Sequence, residues 1–226
     1  MLRKISLFFA AVLLASSPSL AQGVSEQATV EQETAEQAPA PAAVAPEENI
    51  LYLDLSTGGR VAIQLFPAVA PNHVERIKTL ARQGFYNGVI FHRVIDGFMA
   101  QTGDPTGTGT GGSDLPDLKA EFHPFPHLRG VVSMARAQGE DSANSQFFIV
   151  FYPRFALDNK YTVFGRVTAG MEYVDAINRG EPPASPSRIL QASVAADNKA
   201  PPPPGSYAAP AQKEITVDDL NAPLNP

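Results

Sequence analysis

The chain contains no cysteine among its 226 residues. It therefore forms no disulfide bond and offers no thiolate ligand, so burial of apolar side chains must hold the fold. A folded region of about 150 residues can bury enough surface for that purpose. After Ala15 the sequence also lacks any apolar run long enough to cross a bilayer, which predicts no membrane insertion of the mature protein.

An excess of positive charge is absent as well. The chain carries 17 Lys and Arg against 23 Asp and Glu, a formal net charge of −6. Six of the glutamates lie within residues 22–48, which contain no Lys or Arg. With these six and the cations of residues 3–4 set aside, 15 basic residues face 17 acidic ones, a net charge of −2. Such a balance gives no basic surface for nucleic acid, and we expect no nucleic-acid partner.

The N-terminus has the pattern of a secretory signal peptide. Arg3 and Lys4 precede an apolar run from Ile5 to Ala15, and small residues then lead to Ser19-Leu20-Ala21. The run is too short to span a bilayer, and the last three residues resemble a signal-peptidase site. We therefore predict a signal peptide over residues 1–21, an exported protein, and a periplasmic or secreted location.

Two further segments are predicted to be disordered. Residues 22–48 consist mainly of Glu, Gln, Ala, Thr and Pro, and residues 199–226 begin with a polyproline run and continue with Pro, Ala and polar residues. Neither segment can bury enough apolar surface to offset the entropy of ordering. This leaves one folded domain over residues 49–198.

Within that domain the pattern predicts many short strands and two helices. Strands are expected at 50–55, 60–66, 90–94, 98–101, 131–135, 146–150, 162–167 and 188–195. Apolar residues at helical spacing after Pro71, with Gly84 as a stop, predict the first helix, and residues 171–178 predict the second. The fold class is therefore mostly β, a closed antiparallel barrel, although strand alternation alone also allows a sandwich.

One segment, FHRVIDGFMAQTGD at 91–104, sets Arg93 among large apolar residues. A guanidinium cannot lose its proton to ease burial, so an arginine in such a run needs a carboxylate partner or a binding task. Taken alone, the residues favour a structural ion pair, with Asp96 or Glu121 as the candidate carboxylates. The function of the protein depends on which alternative holds.

Other kinds of site find little support in the sequence. The glycines at 107–112 are followed neither by a Lys-Ser/Thr pair nor by a predicted helix, which excludes a phosphate-binding P-loop. Asp141 and Asp158 lack the neighbours that a metal site needs. No Ser/His/Asp or paired-carboxylate arrangement can be recognised, so a barrel hydrolase is not favoured.

Six motifs, in order along the chain, resemble the cyclophilin family of peptidyl-prolyl cis/trans isomerases. They are FHRVIDGFMAQTGD at 91–104, GTGTGG at 107–112, VSMARA at 132–137, NSQFFI at 144–149, LDNKYTVFGRV at 157–167 and GMEYVDAI at 170–177. The resemblance covers about residues 49–197. It implies an eight-stranded antiparallel closed β-barrel capped by two α-helices, with a peptide groove on its outer face. It also implies a cofactor-free enzyme that acts on proline-containing peptides and on folding proteins. The charged start, the short apolar run and the absence of Cys add the expectation of a bacterial exported, periplasmic type, and we expect a monomer.

The resemblance assigns roles to individual positions. It makes Arg93 the catalytic cation, with Gln101 and Phe98 beside it. The groove and proline pocket are then lined by the following residues: His92, Met99, Thr110, Gly111, Ala135, Arg136, Gln146, Phe148, Leu157 and Tyr161. Taken singly, the apolar members among these are more often core residues than pocket residues.

Three positions depart from the family pattern. Ala156 stands where well-known eukaryotic members carry Trp, which predicts weaker binding of cyclosporin-like macrocycles. Tyr161 replaces a common His, and Arg136 replaces an Asn that binds peptide backbone, so sequence preference is expected to shift. A peptide-binding chaperone or tethering module with a vestigial isomerase site is the alternative function.

Overall fold

The computed structural model describes residues 46–203 and residue 206. The predicted signal peptide, most of the segment 22–48 and most of the tail 199–226 lie outside the described residues. The predicted boundary between the disordered segment 22–48 and the folded domain needs a correction, because Pro46–Asn49 form a 3-10 turn, η1. Glu48 Oε1 lies 2.9 Å from Lys78 Nζ, and its Oε2 lies 2.8 Å from Arg82 Nη2. The ordered part therefore begins before residue 49, because these two cations hold Glu48.

The described residues form eight strands, two α-helices and three 3-10 turns. In chain order these are η1, β1 (Ile50–Leu55), β2 (Gly59–Leu65), α1 (Pro71–Arg82), β3 (Arg93–Ile95), β4 (Met99–Thr102), β5 (Val131–Arg136), β6 (Ala143–Val150), η2 (Phe155–Leu157), β7 (Val163–Ala169), α2 (Met171–Asp175), β8 (Ile189–Val194) and η3 (Ala195–Asp197). Every predicted strand and helix is present, with ends that differ by a few residues. Neither helix is long and apolar enough to cross a membrane.

All eight strands belong to one antiparallel sheet with the order β3-β4-β6-β5-β7-β2-β1-β8. The two edge strands are β3 and β8. Between them only isolated bridges occur among the described residues, at Ile90↔Arg188 and Val94↔Gly180. The structure thus shows a mostly β fold with a curled, half-barrel sheet, whereas a fully closed ladder of eight strands is not shown.

The sheet curls because its strands are bulged and approach closely. Register shifts interrupt the pairing between Ala62 and Ile63, between Val132 and Ser133, and between Asp54 and Leu55, and bulges of this kind increase local twist. A Cβ on Gly165 would lie 2.7 Å from the carbonyl oxygen of Gln64, so only glycine allows β7 to lie this close to β2. The concave face encloses the main apolar core, which includes Leu51, Leu53, Leu55, Ile63, Phe147, Phe164 and Ile189.

The two helices pack against the sheet at different places. Helix α1 starts with Pro71, whose missing N–H is no loss in the first turn, and buries Val74, Ile77 and Leu80. Helix α2 ends at Asp175, earlier than the predicted residue 178. The guanidinium of Arg179 donates to the carbonyls of Asp175 and Ile177, and these bonds replace those that a further helical turn would make.

Candidate active site

The outer face of the sheet carries a row of four paired positions. Arg93 on β3 lies opposite Gln101 on β4, which lies opposite Phe148 on β6, which in turn lies opposite Ser133 on β5. Directly paired residues in an antiparallel sheet project to the same face. The alternation of the strands thus places a cation, an amide and an aromatic ring side by side.

A pocket of about 270 Å³ with a mixed apolar and polar lining opens on this row. It is lined by Arg93, Phe98, Met99, Gln101, Ala135, Arg136, Phe148, Leu157 and Tyr161. All nine were predicted as site residues from the sequence. Met99 and Phe148 also belong to a second apolar cluster beneath the groove, with Phe98, Leu157 and Tyr161 packed against it. These residues are therefore core residues on one side and pocket lining on the other.

Arg93 has both a carboxylate partner and access to the pocket. Its Nε donates to Glu181 Oε2 at 2.7 Å, and the two side chains are 42% and 51% exposed. The candidate partners from the sequence, Asp96 and Glu121, are wrong: Asp96 pairs with Arg179, and Glu121 Oε2 lies 2.6 Å from His73 Nδ1. The guanidinium is half-exposed, so water relieves the desolvation that a buried arginine would suffer.

Gln101 is held by a chain of amide hydrogen bonds. Its Nε2 donates to Gln146 Oε1 at 2.9 Å, and Gln146 Nε2 donates to the carbonyls of Gly109 and Gly111 at 3.1 and 2.8 Å. The glycine loop at 107–112 thereby orients the amide nearest to Arg93. Each link leaves the next side chain little freedom to turn.

The glycine loop wraps around its own carboxylate, Asp104. Asp104 is fully buried and accepts bonds from the backbone N–H groups of Thr106, Gly109 and Gly111 at 2.7, 2.6 and 3.1 Å, and from the hydroxyl of Thr106 at 2.7 Å. Burial acts to raise the pKa of Asp104, but the bonds from Thr106, Gly111 and Gly109 outweigh it and lower this pKa to about 2. A Cβ on Gly111 would lie 2.2 Å from Asp104 Oδ1. The loop amides thus bind an internal anion, in agreement with the exclusion of a P-loop.

A second cavity of about 520 Å³ adjoins the pocket along the groove. Its lining includes the predicted residues Thr110, Gly111 and Gln146, and also Asn144 and Asp117, which sequence reasoning missed. Arg136 borders both cavities: its guanidinium lies 4.9 Å from the ring centroid of Tyr161, and its Nε and Nη2 donate to the Lys160 carbonyl. Arg136 thus forms a fixed cationic wall between the two spaces.

His92 is placed differently from the prediction. It is 5% exposed, lines neither cavity, and lies beneath the loop with its Cδ2 3.6 Å from where a Cβ on Gly109 would be. Burial lowers the pKa of His92, while the nearby Asp104 acts to raise it. Since His92 supports the loop from below, it offers no surface to a peptide in the groove.

The structure also corrects the statement that no Ser/His/Asp arrangement exists. His127 Nδ1 lies 2.8 Å from Asp158 Oδ1, and its Nε2 lies 3.0 Å from Ser133 Oγ. The three residues come from separate segments, so no local sequence pattern predicts this contact. Ser133 is fully buried and lines neither of the two groove cavities, so its hydroxyl does not reach a substrate carbonyl bound there. The His127 ring instead lies parallel to that of Phe148, at 6.3 Å and 17°, and supports the pocket.

Among the described residues no group of three or more His, Asp or Glu side chains is placed to hold a metal ion. The groove therefore presents a cation, amides, carbonyls and apolar side chains. Such a set can bind an extended peptide and seat a small ring, and it can donate hydrogen bonds.

Comparisons with known proteins agree with this arrangement. Residues 52–194 match the family model described as "Cyclophilin type peptidyl-prolyl cis-trans isomerase/CLD". A probable peptidyl-prolyl cis-trans isomerase of Brucella suis is 48% identical over 171 residues, which cover 69% of this chain and 87% of that protein. Peptidyl-prolyl cis-trans isomerase B of Bacillus subtilis is 44% identical over 131 residues, covering 58% and 91%.

Solved structures show the same fold. The cyclophilin AquaCyp293 from Hirschia baltica superposes with a TM-score of 0.62 at 30% identity, over 69% of this chain and 76% of that chain. A cyclophilin-type isomerase from Cryptosporidium parvum, crystallised in the presence of the dipeptide Ala-Pro, gives a TM-score of 0.60 at 28% identity. That comparison covers 64% of this chain and 98% of the other.

Proposed function

The chain belongs to the cyclophilin-type peptidyl-prolyl cis-trans isomerases, and we propose that it accelerates X-Pro rotation by hydrogen bonding from Arg93 to the twisted prolyl nitrogen. The observation that carries this proposal is the position of Arg93 in the lining of a pocket of about 270 Å³, opposite the apolar side chains of Phe148 and Leu157. The size and lining of that pocket suit the pyrrolidine ring of proline. No bond is broken in the reaction, so neither a nucleophile nor a metal is needed.

The required rate enhancement is small enough for a few polar contacts. Partial double-bond character of the amide gives a barrier of about 18–20 kcal/mol, which corresponds to a rate on the order of 0.1 per second. A turnover of roughly 10² to 10³ per second requires the barrier to fall by about 4–6 kcal/mol.

Arg93 supplies the first part of that reduction. As the amide twists, its nitrogen becomes pyramidal and gains an available lone pair, which the planar amide lacks. A hydrogen bond from a charged donor contributes about 1.5–3 kcal/mol. Since the acceptor exists only in the twisted state, the bond stabilises the transition state and not the bound ground state.

The pocket and the neighbouring amides supply the rest. The planar amide is the more polar form, so an apolar environment disfavours it relative to the twisted form. Phe98, Met99, Phe148 and Leu157 provide that environment and seat the ring. The bond from Gln101 to Gln146 supports the further proposal that Gln101 binds the substrate backbone and holds one half of the peptide while the other half turns.

The substrates that we propose are proline-containing segments of unfolded or folding proteins. The Cryptosporidium relative crystallised with Ala-Pro supports binding of such a segment. We further propose that the protein is exported to a bacterial periplasm or similar space, acts there as a monomer without a cofactor, and closes its curled sheet into a barrel through the contacts near Ile90 and Val94. The signal-peptide pattern of residues 1–21 supports export.

Two assays separate this function from a peptide-binding chaperone. The first follows cis-to-trans conversion of a prolyl peptide by the chain and by Arg93→Ala. The second follows refolding of a client whose slow step is proline isomerisation. We expect the wild type to accelerate both and Arg93→Ala to accelerate neither. Equal help to the client from both proteins would favour the chaperone and contradict the proposal.

A further inference from the structure

The contact between Arg93 and Glu181 is one-sided. Glu181 Oε2 accepts from Nε of Arg93 at 2.7 Å, and this is the only side-chain hydrogen bond that Arg93 makes to another described residue. The terminal nitrogens Nη1 and Nη2 make no hydrogen bond to the part of the chain that the structure describes. One edge of the guanidinium is therefore fixed while its other donors stay free beside the pocket.

The backbone holds Glu181 in this position. Val94 on the edge strand β3 exchanges two hydrogen bonds with Gly180, of 2.8 Å from Val94 N to Gly180 O and 2.9 Å from Gly180 N to Val94 O. Gly180 has φ +142°, and a Cβ there would lie 2.6 Å from Pro183 Cα. Glycine at 180 thus allows the segment to pair with β3 and to present Glu181 beside Arg93.

A second ion pair lies at the same bridge. Arg179, on the other side of Gly180, donates from Nε to Asp96 Oδ1 at 3.2 Å. The bridge between Val94 and Gly180 is therefore flanked by two ion pairs. The pair of Arg93 and Glu181 includes a residue of the pocket lining, whereas neither Arg179 nor Asp96 lines that pocket. The second pair is a natural control for the first.

From this geometry we infer that Glu181 is a positioning residue for the isomerisation, which it serves by holding the Arg93 guanidinium with its terminal N–H groups free for the twisted prolyl nitrogen. The inference rests on the proposed role of Arg93. A half-exposed arginine samples many rotamers, and a donor that must be ordered during the reaction loses part of its hydrogen-bond energy. Glu181 orders it beforehand, which is electrostatic preorganisation.

The size of the effect follows from the exposure of the pair. Ion pairs between half-exposed side chains are weak and screened by salt, so we expect loss of Glu181 to lower kcat by about two- to fivefold. Substrate binding depends on the pocket and on Gln101, so KM should change by less than about twofold. If Glu181 instead competed with the prolyl nitrogen for Arg93, its removal would raise kcat.

The test compares Glu181→Ala, Glu181→Gln and Asp96→Asn in the full chain, with a neutral prolyl peptide as substrate. Glu181→Ala should lower kcat, Glu181→Gln should restore part of it because the amide oxygen still accepts from Nε, and Asp96→Asn should keep wild-type kcat. In about 1 M salt, where the Debye length is about 3 Å, wild-type kcat should approach that of Glu181→Ala.

An Arg93→Ala background shows whether Glu181 acts through Arg93. There the Glu181→Ala change should have no further effect on the residual turnover. Unchanged or increased kcat for Glu181→Ala would overturn the inference, and so would an equal loss for Asp96→Asn, which would show that the edge strand was simply destabilised. An inactive wild type would instead contradict the proposed function.

Discussion

Asp104→Asn tests the internal anion that shapes the glycine loop. The carboxylate accepts bonds on both oxygens, with Thr106 on Oδ1 and the amides of Gly109 and Gly111 on Oδ2. Asparagine has one acceptor oxygen, so either the donors of Thr106 or the amides of Gly109 and Gly111 must face an NH₂ group. The substitution keeps the side-chain size, removes the charge and one acceptor oxygen, and places an NH₂ donor against the donors that this oxygen bound.

The magnitude follows from the pKa of Asp104, which the fold lowers from 3.8 to about 2. One pKa unit corresponds to about 1.36 kcal/mol, so ionised Asp104 stabilises the folded state by about 2 kcal/mol. Its pKa is lowered on folding, so this stability is present above about pH 4 and disappears as the pH falls through about 2. We expect Asp104→Asn to lower the free energy of unfolding by about 2 kcal/mol at pH 7 and by much less near pH 2.5.

Urea unfolding at several pH values measures this difference, with Asp114→Asn as the control. Asp114 is an exposed carboxylate on the same stretch of chain, so its replacement should change stability by less than about 0.5 kcal/mol. A loss below about 0.5 kcal/mol for Asp104→Asn, or a loss that stays constant down to pH 2.5, would refute the reasoning.

Three further predictions concern other contacts. Glu48→Gln removes the ion pairs to Arg82 and Lys78, whose hydrogen bonds lower the pKa of Glu48 to about 2. Thermal unfolding should show that the folded state loses about 1 kcal/mol of stability at pH 7, and that this loss fades as the pH falls from about 4.5 towards 2. His127→Ala leaves Ser133 Oγ and Asp158 without their shared partner; urea unfolding should show a loss of about 2–3 kcal/mol, and no loss would refute the supporting role. Arg136→Asn removes a cation with no carboxylate partner among the described residues. We compare kcat/KM for a peptide with Glu before proline and for one with Lys there, and expect the ratio of the first value to the second to fall about two- to fivefold. An unchanged ratio would contradict a role of Arg136 in selectivity.

The fold could be predicted from local signals to a large extent. Alternating apolar residues located every strand, and Pro71 with Gly84 located helix α1, because these patterns depend on neighbours in sequence. Two features could not be predicted in this way. The end of α2 depends on the Arg179 guanidinium, and the order at Glu48 depends on cations about thirty residues away.

The candidate site could also be predicted only in part. Nine predicted residues line the pocket of about 270 Å³, because the resemblance matched them jointly. The partner of Arg93 was missed, since Glu181 is 88 residues away and carries no local signal. The His127–Ser133–Asp158 cluster was missed because Asp158 is 31 residues from His127, and no local pattern pairs His127 with Ser133. His92 directly precedes Arg93 in the chain, but no local pattern predicts that the glycine loop covers it.

The most direct test of the Arg93 donor separates binding from turnover in one sample. Nuclear magnetic resonance exchange measurements on a prolyl peptide, with the wild type and Arg93→Ala, give both the Kd and the cis/trans exchange rate of the bound peptide. A bond made only in the twisted state predicts a Kd within about threefold of wild type and an exchange rate lower by about ten- to a hundredfold. An unchanged exchange rate, or a loss of activity explained entirely by weaker binding, would contradict the account.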